Sequence, residues 1–153
     1  MIKKILPFAL IFTCMSALAV ELPSSKEDLL SQFLSAHESK NYDEISTLIN
    51  WDGVRKYKKK IIRVYTKNNF GRKVAGSEFE EADTEFLNKF SVGQKKYKTN
   101  MQVTHLMRIF FENATGDDKE EYDSVVYLVG KDKDSYQISI AIKNNPEDNS
   151  ASH

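Results

Sequence analysis

Two groups of residues in this chain could do chemistry: a pair of internal histidines, His37 and His105, and a run of cations between Arg55 and Lys73. His105 lies in the middle of Lys98 to Glu112, KTNMQVTHLMRIFFE, which reads as one long β-strand. Its alternation places Met101, Val103, His105, Met107, Ile109 and Phe111 on one face, and Asn100, Gln102, Thr104, Leu106, Arg108, Phe110 and Glu112 on the other. An imidazole titrates near neutral pH, so His105 on an apolar wall is the candidate catalytic residue, a general base. The plainer alternative is a core histidine whose nitrogens find backbone or tyrosine partners. His37 ends the apolar stripe of an earlier helix and could meet His105 beneath the sheet. A pair plus a carboxylate such as Asp52 would suit a metal, but two histidines without close spacing give no metal expectation, and no cofactor is expected.

The cationic run comprises Arg55, Lys56, Lys58, Lys59, Lys60, Arg63, Lys67, Arg72 and Lys73, with no acidic residue among them. It reads as a site for an anion, a lipid headgroup or an acidic protein, with Arg55, Lys58, Lys59 and Arg63 as the candidate binding residues. The competing reading is a solvated face balanced by Glu78, Glu80, Glu81, Asp83 and Glu85 just downstream. Leu106, Phe110 and Tyr127 form a third set, read as an exposed outer sheet face able to bind a partner or a second copy of the chain. Phosphate-binding glycine loops, Gly-x-Ser-x-Gly elbows and His-Glu-x-x-His helices do not occur. Asp132 and Asp134 lack the remaining ligands of a calcium loop and read as a hairpin turn.

The N-terminus sets the compartment. Lys3 and Lys4 precede a mostly apolar Ile5 to Leu18, and Ala17-Leu18-Ala19 supplies small residues for a signal peptidase, so residues 1–19 read as a signal peptide cleaved after Ala19. The apolar run is shorter than the ~20 residues a membrane span needs, so no stable membrane insertion is expected. Phe12 and Thr13 stand where small residues precede a lipidated cysteine, which argues against acylation of Cys14. That is the chain's single cysteine. The mature protein then has no thiol for disulfides, zinc or nucleophilic catalysis. With 22 basic and 22 acidic residues, two of the basic ones in the signal, the chain lacks the basic excess of a nonspecific nucleic-acid binder. The expected location is periplasmic or secreted.

Local signals outline one domain over 20–143 and a polar, disordered tail over 144–153. Ser24 and Glu27 have capping-box spacing and start a helix over about 25–39, with Leu30, Phe33, Leu34 and His37 as its stripe. Asn41 and Glu44 repeat the signal for a short second helix burying Tyr42, Ile45, Leu48 and Ile49. Gly53 can take the left-handed conformation that ends it. A third helix over about 54–68 is expected to bury Val54, Tyr57, Ile61, Val64 and Tyr65 and to turn its basic face to water. Residues 72–85 admit either a fourth helix or a strand. The strand, over about 73–80, is preferred, followed by a loop or short helix ending at Val92-Gly93. After the long strand come a polar turn carrying the sequon Asn113-Ala114-Thr115, a strand over about 121–130, a tight hairpin at Lys131 to Asp134 and a last strand with Tyr136, Ile138, Ile140 and Ile142 on one face.

Three N-terminal helices packed on a curved antiparallel sheet of three or four strands make an α+β fold. Phe33 to Ile49 with its Asn41-Tyr42-Asp43 connection, Trp51-Asp52-Gly53-Val54 before the third helix, and Val129 to Asp132 with Ser135 to Ile138 in the last hairpin resemble the cone-like superfamily of nuclear transport factor two and ketosteroid isomerase. The resemblance covers about 25–143 and implies a pocket between helices and sheet, used for isomerisation or dehydration in some members and for binding in others. Its enzymes place an acidic base and a proton donor in the cone, whereas the inner positions here are almost wholly aliphatic. The leading expectation is therefore a noncatalytic exported protein binding a protein partner or small ligand. The alternatives are a small isomerase or lyase using His105, and an inhibitor or immunity-type protein acting through the basic helix 54–68.

Overall fold

A computed structural model describes residues 21–112 and 123–144. The chain enters through α1 (Lys26–Glu38), α2 (Tyr42–Thr47) and α3 (Lys56–Asn69). It continues through β1 (Val74–Glu81), a short α4 (Thr84–Asn88), β2 (Lys89–Val92), β3 (Lys95–Thr99), β4 (Val103–Phe111), β5 (Asp123–Asp132), β6 (Ser135–Ser139) and β7 (Ala141–Lys143). The strands pair antiparallel in two sheets, β1-β4-β5-β6 and a smaller β2-β3-β7, and an isolated parallel bridge joins Ile49 to Ile138. The fold is the expected α+β class, with a second sheet that the sequence reading did not anticipate. The expected signal over 1–19, the Asn113 sequon and the tail beyond Asn144 lie outside the described residues.

Capping sets the first two helices. Ser25, one residue later than expected, accepts from the Asp28 N–H at 3.0 Å, and the Ser24 N–H donates back to the Asp28 carboxylate at 3.2 Å. Asn41 Oδ1 accepts from the Asp43 and Glu44 N–H groups, so α2 starts where the spacing predicts. These caps aim Leu29, Phe33 and Ala36 of α1 and Ile45 of α2, with the following Leu48 and Ile49, at Met107, Ile109 and Phe111 of β4, Val129 of β5 and Ile138 of β6. This buried layer excludes water. The free edge of β6 is covered as well: Asn50 donates to the Ile138 carbonyl at 2.9 Å, Ile138 to Leu48 at 2.8 Å, and Tyr136 to Pro23 at 2.8 Å.

The long strand expected over Lys98 to Glu112 is broken at Asn100 to Gln102, between β3 and β4. Asn100 makes the break. Its Oδ1 accepts from the Ile140 N–H at 2.8 Å and Ser139 Oγ at 3.1 Å, while its Nδ2 donates to the carbonyls of Asn50 at 2.7 Å and Asp52 at 3.1 Å. The last strand is interrupted at the same level, at Ile140, so two chain segments pass together from one sheet to the other. Gly130 permits the crossing, since a Cβ there would lie 2.5 Å from Met101 Cγ and 2.7 Å from the Gln102 carbonyl oxygen. β7 reaches Lys143, and the Asn144 N–H bonds the Lys96 carbonyl at 2.9 Å, so Asn144 belongs to the small sheet rather than to a disordered tail.

Candidate functional site: a cationic groove at the start of α3

The groove begins at the Trp51-Asp52-Gly53 turn. Gly53 has φ +68°, which favours glycine, and a Cβ there would stand 2.9 Å from Ile142 Cδ1, so a larger residue would also displace the end of that side chain. This close approach sets the first turn of α3 against β7. In the small sheet Tyr97 pairs with Lys143 and Lys98 with Ile142. The result is a cavity of about 450 Å³ lined by Gly53, Arg55, Tyr57 and Lys58 on one side and by Lys95, Tyr97, Lys98, Ile142 and Lys143 on the other.

Five cations and no carboxylate line this groove. Among the described residues none of the five makes an ion pair. The Lys58 ammonium donates to the Ala141 carbonyl, and burial holds its pKa below the usual lysine value. α3 adds to the same field, because Arg55 makes no side-chain cap bond and the first turn contains no acidic residue. Like charges gathered with nothing to offset them repel one another, and an anion in the groove relieves that repulsion.

Two carboxylates of the acidic block that was to balance the basic helix, Glu78 and Glu80, are engaged elsewhere. Arg108 on the outer face of the sheet lies 3.3 Å from Glu78 and 2.7 Å from Glu80. Arg72 pairs with Asp123 at 2.9 Å and Lys73 with Glu112 at 2.7 Å.

Helix α3 itself corrects an expectation. Val54 is buried, but Tyr57, Ile61, Val64 and Tyr65 are 61, 60, 58 and 57% exposed, while Thr66 and Asn69 are buried in their place. Ile62, packed against the core, and a set of polar anchors fix this orientation. His37 Nε2 donates to the Asn69 carbonyl at 2.9 Å and Lys58 holds Ala141, while Lys59 stacks over Trp51 at 5.4 Å and Arg63 over Tyr42 at 5.3 Å. The aromatic rings of the α2 region collect the cations, so the apolar stripe is turned outward.

Of the sequence-derived site residues, Arg55 and Lys58 enter the groove; Lys59 and Arg63 face the neighbouring rings instead. Leu106 and Phe110 lie half-buried on the outer sheet face, either side of Arg108. Tyr127 is not with them. It pairs with Met107 on the inner face and packs on Phe33 at 4.9 Å, where burial, reinforced by the nearby Tyr65, pushes its phenol far above the usual range. His105 is half-buried, hydrogen-bonded to Thr104 Oγ1 at 3.0 Å and edge-on to Phe79 at 6.3 Å. His37 sits among Phe33, Phe70 and Phe111. Phe111 is six positions beyond His105 on β4, roughly 20 Å at strand rise, so the two histidines do not meet.

Lys95, Tyr97, Lys98 and Lys143 were missed from sequence. Their one local signal is the Lys95-Lys96-Tyr97-Lys98 run, which shows no link to α3 until strand pairing supplies it. Comparison with known proteins finds no matching family model, no similar curated protein and no similar solved structure.

Proposed function

We propose that this is a noncatalytic exported protein that binds a small anionic ligand in the groove between α3 and the β2-β3-β7 sheet. The observation that carries this reading is the convergence of Arg55, Lys58, Lys95, Lys98 and Lys143 on one cavity without a facing carboxylate. A volume of about 450 Å³ suits a small molecule, and Tyr57 and Tyr97 offer hydroxyls and ring faces beside the charges. Export rests on the N-terminal pattern of residues 1–19, and the likeness to the nuclear-transport-factor cone on the order of three helices before the sheet. The enzyme alternative gains nothing from His105, which is directed at Phe79 and Thr104 while other residues line the groove. Pairing through the outer sheet face is disfavoured by the Arg108, Glu78 and Glu80 cluster, which places charge between Leu106 and Phe110.

The test is titration with inorganic pyrophosphate, followed by the NMR signals of the Tyr57 and Tyr97 rings at constant ionic strength. Saturable shifts are expected, with affinity falling at least about tenfold in the Lys98→Glu/Lys143→Glu variant, which removes two attractive charges and adds two repulsive ones. Shifts no larger than those from matched sodium chloride, or equal affinity in the variant, would sink the reading.

A further inference from the structure

We propose that the outward face of α3 docks the protein on an anionic bilayer surface. Tyr57, Ile61, Val64 and Tyr65 recur at i, i+4, i+7 and i+8, which at helical pitch is one continuous stripe, and all four are more than half exposed. Lys60, Ile61, Val64, Tyr65 and Asn68 share a shallow concavity along it. Along one side of the stripe stand the exposed cations Lys56 and Lys60, while Arg63 and Lys67, also exposed, lean over the Tyr42 ring. An apolar strip edged by cations is the pattern of a helix that lies in the plane of a membrane interface, its aliphatic and aromatic side chains among the acyl chains and its ammonium groups at lipid phosphates.

Charge complementarity selects this occupant. A second copy of the chain would bring its own Lys56 and Lys60 against these, opposing the contact, whereas a negatively charged lipid surface satisfies the stripe and its border together. Tyr57 belongs to both the stripe and the cationic groove, so the groove opens beside the docked face. Among the described residues no helix is long and apolar enough to cross a membrane, so the attachment is peripheral. Apart from the shared Tyr57, the inference uses a different face of α3 from the ligand groove and can fail without it.

Sedimentation with vesicles separates the two. With vesicles of phosphatidylethanolamine and phosphatidylglycerol at about three to one, the purified protein is expected to partition at least tenfold more strongly than with neutral phosphatidylcholine, and to be released by salt at about 0.5 M. Ile61→Asp/Val64→Asp alters only exposed positions. It is expected to lose about tenfold or more of that partitioning while keeping its far-UV circular dichroism and its pyrophosphate binding. Lys98→Glu/Lys143→Glu is expected to show the reverse, losing pyrophosphate and retaining most vesicle binding. The proposal is overturned if wild type and Ile61→Asp/Val64→Asp partition equally. It is also overturned if wild type ignores vesicles but forms a dimer, or binds polyglutamate, in a way the stripe variant abolishes.

Discussion

α1 and α3 are both amphipathic, yet their apolar stripes meet opposite fates. On α1, Leu29 and Phe33 are fully buried; on α3, Tyr57 and Ile61 are 61 and 60% exposed. Hydrophobic periodicity marks a stripe that wants a partner but does not name the partner. On α1 the partner is the β4 wall. On α3 the inward face is held by Ile62 against the core, by the polar anchors His37 on Asn69 and Lys58 on Ala141, and by rings that hold Lys59 and Arg63. The apolar face is left exposed. One side of the protein thus carries the sealed core, and the other presents the groove and the stripe on which the two proposals rest.

The sharpest way to break that division is to remove the largest side chain of the sealed half. Phe33→Ala is expected to cost about 3–5 kcal/mol of unfolding free energy, because it deletes a fully buried ring that packs on Tyr127 and His37. Urea denaturation measures it, and a loss below about 1 kcal/mol would mean that the α1 interface is not the stabilising one.

A middle-sized effect comes from His37, at the boundary of the two halves. Burial holds its pKa below the usual 6.5; the Asn69 carbonyl, accepting from Nε2–H, partly offsets this, and Arg72 lowers it further. The folded protein therefore keeps the ring neutral at a pH where the unfolded chain already takes up a proton. Stability is full above about pH 6.5 and declines as pH falls below it, by at most about 1.4 kcal/mol per pH unit for one proton. Urea midpoints compared at about pH 8 and pH 5.5 in wild type and His37→Gln check the sign, since the variant should lose this part of the pH dependence. An unchanged dependence in His37→Gln would assign it to other groups.

The smallest effect is expected where the sequence pattern suggests a large one. Ile61→Ser, in the middle of the α3 stripe, should leave stability within about 0.5 kcal/mol of wild type, as for other exposed positions. A loss above about 2 kcal/mol would show that the stripe is buried in solution and would erase the contrast with α1.

What could be read in the sequence was what local chemistry decides. The cap at Asn41, the glycine turn at Gly53, the preference for a strand over 73–80 and the Lys133-Asp134 hairpin each depend on a few neighbouring residues; the first cap stands at Ser25, one residue after the Ser24 that the spacing marks. What could not be read depends on distant partners. The strand break at Asn100 needs Asn50, Asp52 and Ile140, and the groove needs Lys95, Lys98 and Lys143 beside Arg55. Tyr127 was assigned to the wrong face because β5 is apolar on both: Val125, Tyr127 and Val129 point inward, while Val126 and Leu128 point outward, so alternation alone gives no direction. His105 looked central because its strand was counted as one piece. Once β4 begins at Val103, it lies near the end of the wall.

The join at Asn100 has a consequence for how the molecule opens. A β-ladder gives way one rung at a time, and its remaining rungs still hold register. Here a single amide ties the turn before α3 to the start of β7, so its bonds are made or broken together. In amide hydrogen exchange, the Ile140 N–H and the backbone amides of β3 and β7 should then exchange as one cooperative unit, less protected than those of β4 and β5. The small sheet and the turn before α3 would come and go as a block while the sealed half stays folded.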